Sequence, residues 1–292
     1  RDLPEEERIP LIEKFRKMYE TMDFYVLYNR FLKKEGYQTL PRRPLEKRKL
    51  RYEDVYPVLY LKYRLSRQAE RSNIKHLVID EMQDYSRLQY LIIRRMFSCK
   101  MTILGDRAQT MADQQQDVLQ FLPGIFGKDL RRIEMRKSYR NTVEIASYAA
   151  NLIGVTDLEL FERHGMPVLE RDVSDLEAAL REAVDTLFPD EKTYETAAVI
   201  VPDEKTAERA YLILREILAE KDFDCEKRLS WLNRDSSSFK KGLTVTTFYL
   251  AKGLEFDQVF SIFPKDEKRE IMMQAQYIAA TRALHELRVY HI

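Results

Sequence analysis

The 292-residue sequence predicts an α/β chain with parallel sheets in two lobes, preceded by a helical segment. Three observations predict this. The apolar run Lys75-His76-Leu77-Val78-Ile79 ends in Asp80-Glu81, the look of a buried parallel strand with carboxylates at its carboxyl end. A second short run, Met101-Thr102-Ile103-Leu104, ends in Gly105-Asp106 after an intervening helical stretch. Strand and helix patterns then alternate over 130–292, the mark of a second parallel lobe.

The length allows one large domain or two ordinary ones. Hydrophobic residues make up 45% and charged residues 33%, the balance of a soluble globular chain that buries a core. A formal net charge of +1 does not by itself point to nucleic acid, although a balanced total can hide a basic stripe. Cys99 and Cys225 lie far apart, match no metal-ligand spacing and suggest no disulfide framework, which fits a reducing cytoplasm. No apolar run has membrane-spanning length and no signal peptide is visible. The chain opens on Arg1 and enters an amphipathic helical pattern at once, which reads as a fragment of a longer protein.

The elements follow in order. Residues 5–35 read as helix, with Ile9, Ile12, Phe15, Met18 and Tyr19 at helical spacing. Residues 37–51 hold Pro41, Pro44 and a basic run of Arg42, Arg43, Lys47, Arg48, Lys49 and Arg51, either a solvated face or a contact for phosphates or an acidic partner. Helix returns over 52–70. The strand at 75–79 is followed by a helix at 86–97 and the strand at 101–104. Leu130–Met135 reads as a strand, Val143–Ile153 as a helix, and Ser174–Leu187 as a helix capped by Ser174 with Glu177 at capping-box spacing. Ala197–Val201 is a buried strand, Lys205–Glu220 an amphipathic helix and 221–241 a polar loop. Leu243–Thr247 and Gln258–Phe263 are strands, Ile271–Leu284 a helix and Glu286–Ile292 a final strand.

Five strings carry chemistry. In the first, Asp80 at a strand end suits Mg²⁺, a hard ion that prefers carboxylate and water. Glu81 beside it suits a base for an attacking water, and Gln83 and Asp84 make the string more specific. The plainer reading is a pair of acids favoured by a helix dipole. In Gly105-Asp106-Arg107-Ala108-Gln109, Gln109 is placed to hydrogen-bond a γ-phosphate, or the string is an ordinary turn. In Lys137-Ser138-Tyr139-Arg140-Asn141, Arg140 suits phosphate oxygens and Tyr139 a base; alternatively Arg140 is a surface residue and Asn141 a helix cap. In Thr246 to Asp257, Gly253 permits close backbone approach to a ligand, and the hydroxyls before it suit a phosphate backbone. In Tyr277 to Ala283, Arg282 stands near a helix end and alone would read as a surface ion-pairing residue.

Together, in this order, these strings over 75–290 resemble motifs II to VI of UvrD/Rep/PcrA-like superfamily 1A helicases, with Lys252-Gly253-Leu254-Glu255-Phe256 and Thr281-Arg282-Ala283 the most specific. The resemblance implies RecA-like lobes of the P-loop NTPase fold, ATP and Mg²⁺ as cofactors, and DNA, single-stranded or duplex, as partner. It implies Asp80 as the Mg²⁺ ligand, Glu81 as catalytic base, Gln109 as γ-phosphate sensor, and Arg140 and Arg282 as paired arginine fingers. Tyr139 would stack on adenine, Gly253 and Glu255 would lie along the nucleotide with Glu255 on the ribose, and Thr247 and Tyr249 would meet nucleic acid. It divides the chain into a helical segment 1–74, the remainder of an incomplete first lobe 75–128 and a second lobe 129–292, with nucleotide in the cleft between lobes. In the full-length protein, Arg282→Ala is then expected to abolish ATPase activity without unfolding it.

The sequence departs from the family in four places. No Gly-x-x-x-x-Gly-Lys-Ser/Thr string occurs, so these residues alone should bind ATP poorly and not hydrolyse it. Tyr249 replaces the usual histidine of motif V. Gln114 stands where the family has an aromatic that stacks on bases, a contact worth roughly 1–3 kcal/mol per base. Residues 141–245, which separate Arg140 from Thr246, leave no room for the inserted 2B domain. With Tyr52 to Lys62, Ile79 to Ser86 and Tyr249 to Lys252, these departures resemble the HelD subfamily, UvrD-related ATPases that bind RNA polymerase and promote its release from nucleic acid. Three readings stand: a HelD-like polymerase-recycling ATPase, a 3′–5′ DNA-translocating helicase, and an interaction module without catalysis. The missing 2B domain and stacking aromatic favour the first.

Overall fold

The computed structural model describes residues 4–18, 21, 23–65, 71, 73–106, 117–135, 137–155, 159–188, 194–221, 223–236, 241–265 and 270–292. These fall into two compact units that divide at residue 131.

The first unit opens with helices α1 (Glu5–Met18), α2 (Phe24–Lys34) and α3 (Tyr52–Leu65). The continuous helix expected over 5–35 is two helices, because Asp23 caps a new start: its carboxylate accepts from the backbone N–H of Tyr25 at 3.0 Å and Val26 at 3.4 Å. Tyr25, Tyr28, Leu32 and Leu40 form a small core with Leu50, Val58 and Leu61. The basic run is in part consumed here. Arg48 pairs with Asp23 at 2.7 Å, and Arg51 pairs at 2.6 Å with the buried Asp54, which also accepts from the Tyr28 hydroxyl. Arg42, Arg43, Lys47 and Lys49 stay on the surface.

Next come β1 (His76–Ile79), α4 (Arg87–Met96), β2 (Lys100–Ile103) and α5 (Val118–Phe126). β1 and β2 pair in parallel, His76 opposite Lys100 through Ile79 opposite Ile103. Ser86 starts α4 with a complete capping box against Gln89. Tyr90 of α4 is fully buried against Ile79, Val118 and Leu122.

The second unit contains β3 (Lys137–Ser138), α6 (Val143–Leu152), β4 (Glu159–Leu160), β5 (Leu169–Asp172), α7 (Leu176–Asp185), β6 (Thr196–Val201), α8 (Glu204–Ala219), α9 (Cys225–Arg228), β7 (Leu229–Trp231), β8 (Gly242–Thr247), β9 (Phe256–Phe263), α10 (Glu270–Ala280) and β10 (Ala283–His291). Among the described residues, six strands form one parallel sheet in the order β5-β10-β9-β6-β8-β7. Period-two alternation sends Ala197, Val199 and Val201 into one core with α7 and α8, and Ala198 and Ile200 into another with α6 and α10. A parallel sheet covered on both faces is the arrangement the continuous apolar runs predict. The result is an α/β lobe built on a parallel sheet.

Several boundaries differ from the expectations. Residues 130–135 form no strand: Ile133 is 75% and Met135 87% exposed, and the segment gains no ladder partner. α7 is capped by Asp175, whose carboxylate accepts from Ala178 N–H at 2.9 Å, whereas the Ser174 hydroxyl donates to that same carboxylate. The polar stretch 221–241 holds α9 and β7, because β7 needs only three residues to extend the sheet beside β8. α10 stops at Ala280 rather than Leu284, since Ala283 already pairs with Phe256 in the sheet. No helix among the described residues is long and apolar enough to cross a membrane.

Candidate functional site

In the first unit the candidate groups gather at the carboxyl ends of β1 and β2, where open α/β sheets bind ligands. Asp80 is exposed, and its Oδ1 accepts from Glu81 N–H at 2.8 Å. Glu81 has φ 51° and ψ 50°, a left-handed conformation that costs a non-glycine residue roughly 1–2 kcal/mol. Two backbone bonds and one side chain hold the turn. Leu104 N–H donates to Ile79 O and Met82 N–H to Leu104 O, each at 2.8 Å. The buried Gln83 side chain donates to the Glu81 carboxylate and accepts from Asp106 N–H at 3.1 Å, tying the two strand-end loops together. Gly105 is required by that closure: a Cβ there would lie 2.7 Å from the Met82 backbone nitrogen and 2.5 Å from Gln83 Oε1. Gln109 lies outside the described residues, as does Gln114.

The donor set fits Mg²⁺. That ion keeps several waters and takes one or two carboxylates together with phosphate oxygens. Asp80 is exposed at the end of β1, with the Glu81 carboxylate on the next residue, so hard oxygen donors stand at the surface there.

In the second unit Arg140, Glu255 and Arg282 collect at the amino ends of β9 and β10. Glu255 and Arg282 immediately precede these strands. Arg140 Nε lies 2.6 Å from Glu255 Oε1, and both side chains are partly exposed. Asn141 is buried, and its side-chain amide donates to Ala283 O at 2.6 Å and Thr281 O at 3.3 Å. It is therefore a clamp between distant segments and not a helix cap; Thr142 caps α6. Arg282 is 2% exposed, which removes the reading of it as a surface residue. Its guanidinium donates to Ile278 O at 3.2 Å, Thr281 Oγ1 at 3.1 Å and Leu254 O at 3.4 Å, while its own carbonyl accepts from Phe256 N–H at 2.9 Å. Gly253 in the same loop has φ 76°, the left-handed region that favours glycine, with open space where a Cβ would stand.

Tyr139 is 60% exposed and sits 5.5 Å, centroid to centroid, from Phe161. Arg163 follows on the same segment and donates to the carbonyls of Arg140 and of Leu284, the latter at 2.6 Å. Its own carbonyl accepts from Val143 N–H at 2.9 Å. Phe161 and Arg163 were not foreseen, because a lone aromatic and a lone arginine after an undistinguished loop give no sequence signal.

Glu144, in the first turn of α6, fastens this segment. Its carboxylate meets His164 Nδ1 at 2.9 Å and accepts from Gly165 N–H at 2.9 Å. The His164 ring first, then the backbone N–H groups of Glu144 and Gly165, pull the carboxyl from its ordinary 4.5 down to about 2. A lowered carboxylate contributes stability that is fully present above pH 4.5 and is lost as pH falls through about 2. The urea midpoint gap between the wild type and Glu144→Gln, read from Trp231 fluorescence, is expected to hold steady at pH 5 and to close between pH 4.5 and 2. A gap that stays constant over that range would rule out this assignment.

The two residues expected to meet nucleic acid separate. Thr247 ends β8 at 1% exposure with its hydroxyl unpartnered, so that hydroxyl does not reach the surface in this conformation. Tyr249 is half-buried, edge-on to Phe248, with the Arg234 guanidinium 6.0 Å from its ring centroid.

Residues 4–111 match the UvrD/REP helicase N-terminal domain family. The match supports a UvrD-like helicase relationship. It takes in α1 to α3 as well as the strand-end turn of Asp80 and Glu81, and so begins well before the motif strings, which start at residue 75. Arg140, Glu255 and Arg282 lie beyond the UvrD/REP match. No curated protein matches the chain. Solved structures similar to the chain include the C-terminal domain of a possible DNA helicase from Lactobacillus plantarum WCFS1, at 24% identity over 53% of this chain and 88% of that one, TM-score 0.41. PRRSV helicase matches at 16% identity over 74% of this chain and 35% of that one, TM-score 0.41. Arterivirus nonstructural protein 10, a helicase solved with DNA, matches at 14% identity over 74% and 39%, TM-score 0.40. Scores this low carry no argument, and the chain spans well under half of the two viral proteins.

Proposed function

We propose that these residues form part of the ATPase machinery of a UvrD-like nucleic-acid motor. The observation that carries the reading is the junction at the amino ends of β9 and β10. There three separate segments, Tyr139–Asn141, Gly253–Glu255 and Thr281–Ala283, are locked together by Asn141, Arg282 and the Arg140–Glu255 pair. A plain binding module has no need to spend a fully buried arginine on that junction.

Each group then has a role. Asp80 holds the Mg²⁺ of an ATP complex, a metal that neutralises phosphate charge, and Glu81 orients and deprotonates the attacking water. Arg140 leaves Glu255 for phosphate oxygens, Glu255 accepts from ribose hydroxyls, and Tyr139 stacks on the base. Arg282 holds the Gly253–Glu255 loop through Leu254 O and completes the pair of arginines. Gln109 senses the γ-phosphate, and Thr247 and Tyr249 mark the nucleic-acid side. No Gly-x-x-x-x-Gly-Lys-Ser/Thr string lies in the sequence, so hydrolysis requires a phosphate loop supplied from outside these 292 residues.

Within this class we favour a HelD-like ATPase that binds RNA polymerase and promotes its release from nucleic acid. Its support is the resemblance of 52–62, 79–86 and 249–252, and the compactness of what lies between Arg140 and Thr246. Every described residue of 141–245 belongs to the second unit, with none set apart as an inserted domain. The alternative is a superfamily 1 DNA helicase. Affinity purification of a protein carrying these residues is expected to bring RNA polymerase with it. Strand unwinding in vitro without polymerase association would defeat the HelD-like reading and leave the helicase.

A further inference from the structure

The two-residue strands β3 and β4 make a ladder too short to build a core. What it fixes is register: Lys137 pairs with Glu159 and Ser138 with Leu160, and Phe161 N–H donates to Ser138 O at 3.2 Å. The next residues on each side, Tyr139 and Phe161, therefore leave the ladder as neighbours. Their rings are tilted by 39° and remain 60% and 45% exposed. The Lys137 ammonium lies 5.5 Å and 5.8 Å from the two centroids. Two large rings kept in water beside a cation form a platform for a flat, electron-rich group. The residue after Tyr139 is Arg140, paired with Glu255, a guanidinium and a carboxylate suited to phosphate and to sugar hydroxyls.

We propose that Phe161 is a second aromatic contact for the base of the bound nucleotide, sharing it with Tyr139. This rests on the nucleotide reading given above. A single nucleotide is favoured over a nucleic-acid strand because the groups adjoining the rings match one base, one sugar and one phosphate chain. The pair also makes affinity depend on the base and not on the polyphosphate alone.

Saturation-transfer difference NMR on the 292-residue chain with millimolar ATP tests this, since the method detects weak ligands. Saturation is expected to reach adenine H2 and H8. Phe161→Ala and Phe161→Leu are each expected to cut it about fivefold, the scale of one lost base–aromatic contact, and Phe161→Tyr to retain it. Both substituted rings are exposed, so Trp231 emission should stay at its wild-type value; Phe161→Leu keeps apolar bulk if Phe161→Ala does not fold. Undiminished transfer in both Phe161→Ala and Phe161→Leu, with loss in Tyr139→Ala, would overturn the role of Phe161 and leave the nucleotide reading standing. No adenine transfer in the wild type would overturn both. Transfer to the bases of oligothymidylate, without transfer to ATP, would make the platform a nucleic-acid contact and overturn the proposal.

Discussion

Arg282→Ala is expected to lower the stability of the second unit by about 3 kcal/mol. Arg282 is among the largest fully buried side chains described in the chain. Truncating it leaves a void beside Ala283 and Phe256 and strips a donor from Leu254 O and Thr281 Oγ1. Relief from burying a charge opposes this, because taking a guanidinium out of water carries a desolvation cost. The void and the lost donors outweigh it, so Arg282→Met, which fills most of the volume but strips the same donors, should cost less than Arg282→Ala, about 1–2 kcal/mol. Because Arg282→Ala is expected to lose stability as well as activity, Arg282→Met is the better variant for testing catalysis. Trp231, the only tryptophan of the sequence, lies in β7 of the second unit and reports its unfolding in urea. Equal midpoints for the wild type and Arg282→Ala would show that the guanidinium does not hold the junction.

Legibility followed burial. Ala197–Val201 is readable as a continuously apolar run, the mark of a strand covered on both faces, and Leu243–Thr247 and Gln258–Phe263 by their β-branched and aromatic residues. β7 was hidden: Leu229-Ser230-Trp231 has one polar residue in three and sits among charges, and only its pairing with β8 makes it a strand. Leu130–Met135 erred the other way, since an apolar run without a ladder partner stays irregular. Among the candidate residues, types and order were legible but environments were not. Asn141 looks like a helix cap until Ala283 O, 142 residues away, comes within 2.6 Å. Arg282 looks like a surface residue until the sheet closes over it. The left-handed backbone of Glu81 has no sequence signal at all, because a glutamate there is held by Gln83 and the β2 loop and not by a propensity of its own.

Glu81→Gln is expected to lower the ATP turnover number by 10²- to 10⁴-fold, the usual contribution of a positioned general base. The substitution is nearly isosteric. A glutamine keeps an oxygen to accept from the Gln83 amide, so the strand-end turn and the left-handed backbone should persist. Only proton acceptance is removed, and KM should stay within about threefold because Asp80, the proposed metal ligand, is unchanged. The measurement that bears most directly on these residues as ATPase machinery is single-turnover ATP hydrolysis by a protein that carries them with a phosphate-binding loop, wild type against Glu81→Gln. A rate at least about 100-fold lower in Glu81→Gln, with nucleotide binding retained, is the result expected. Equal rates in the two proteins would contradict it.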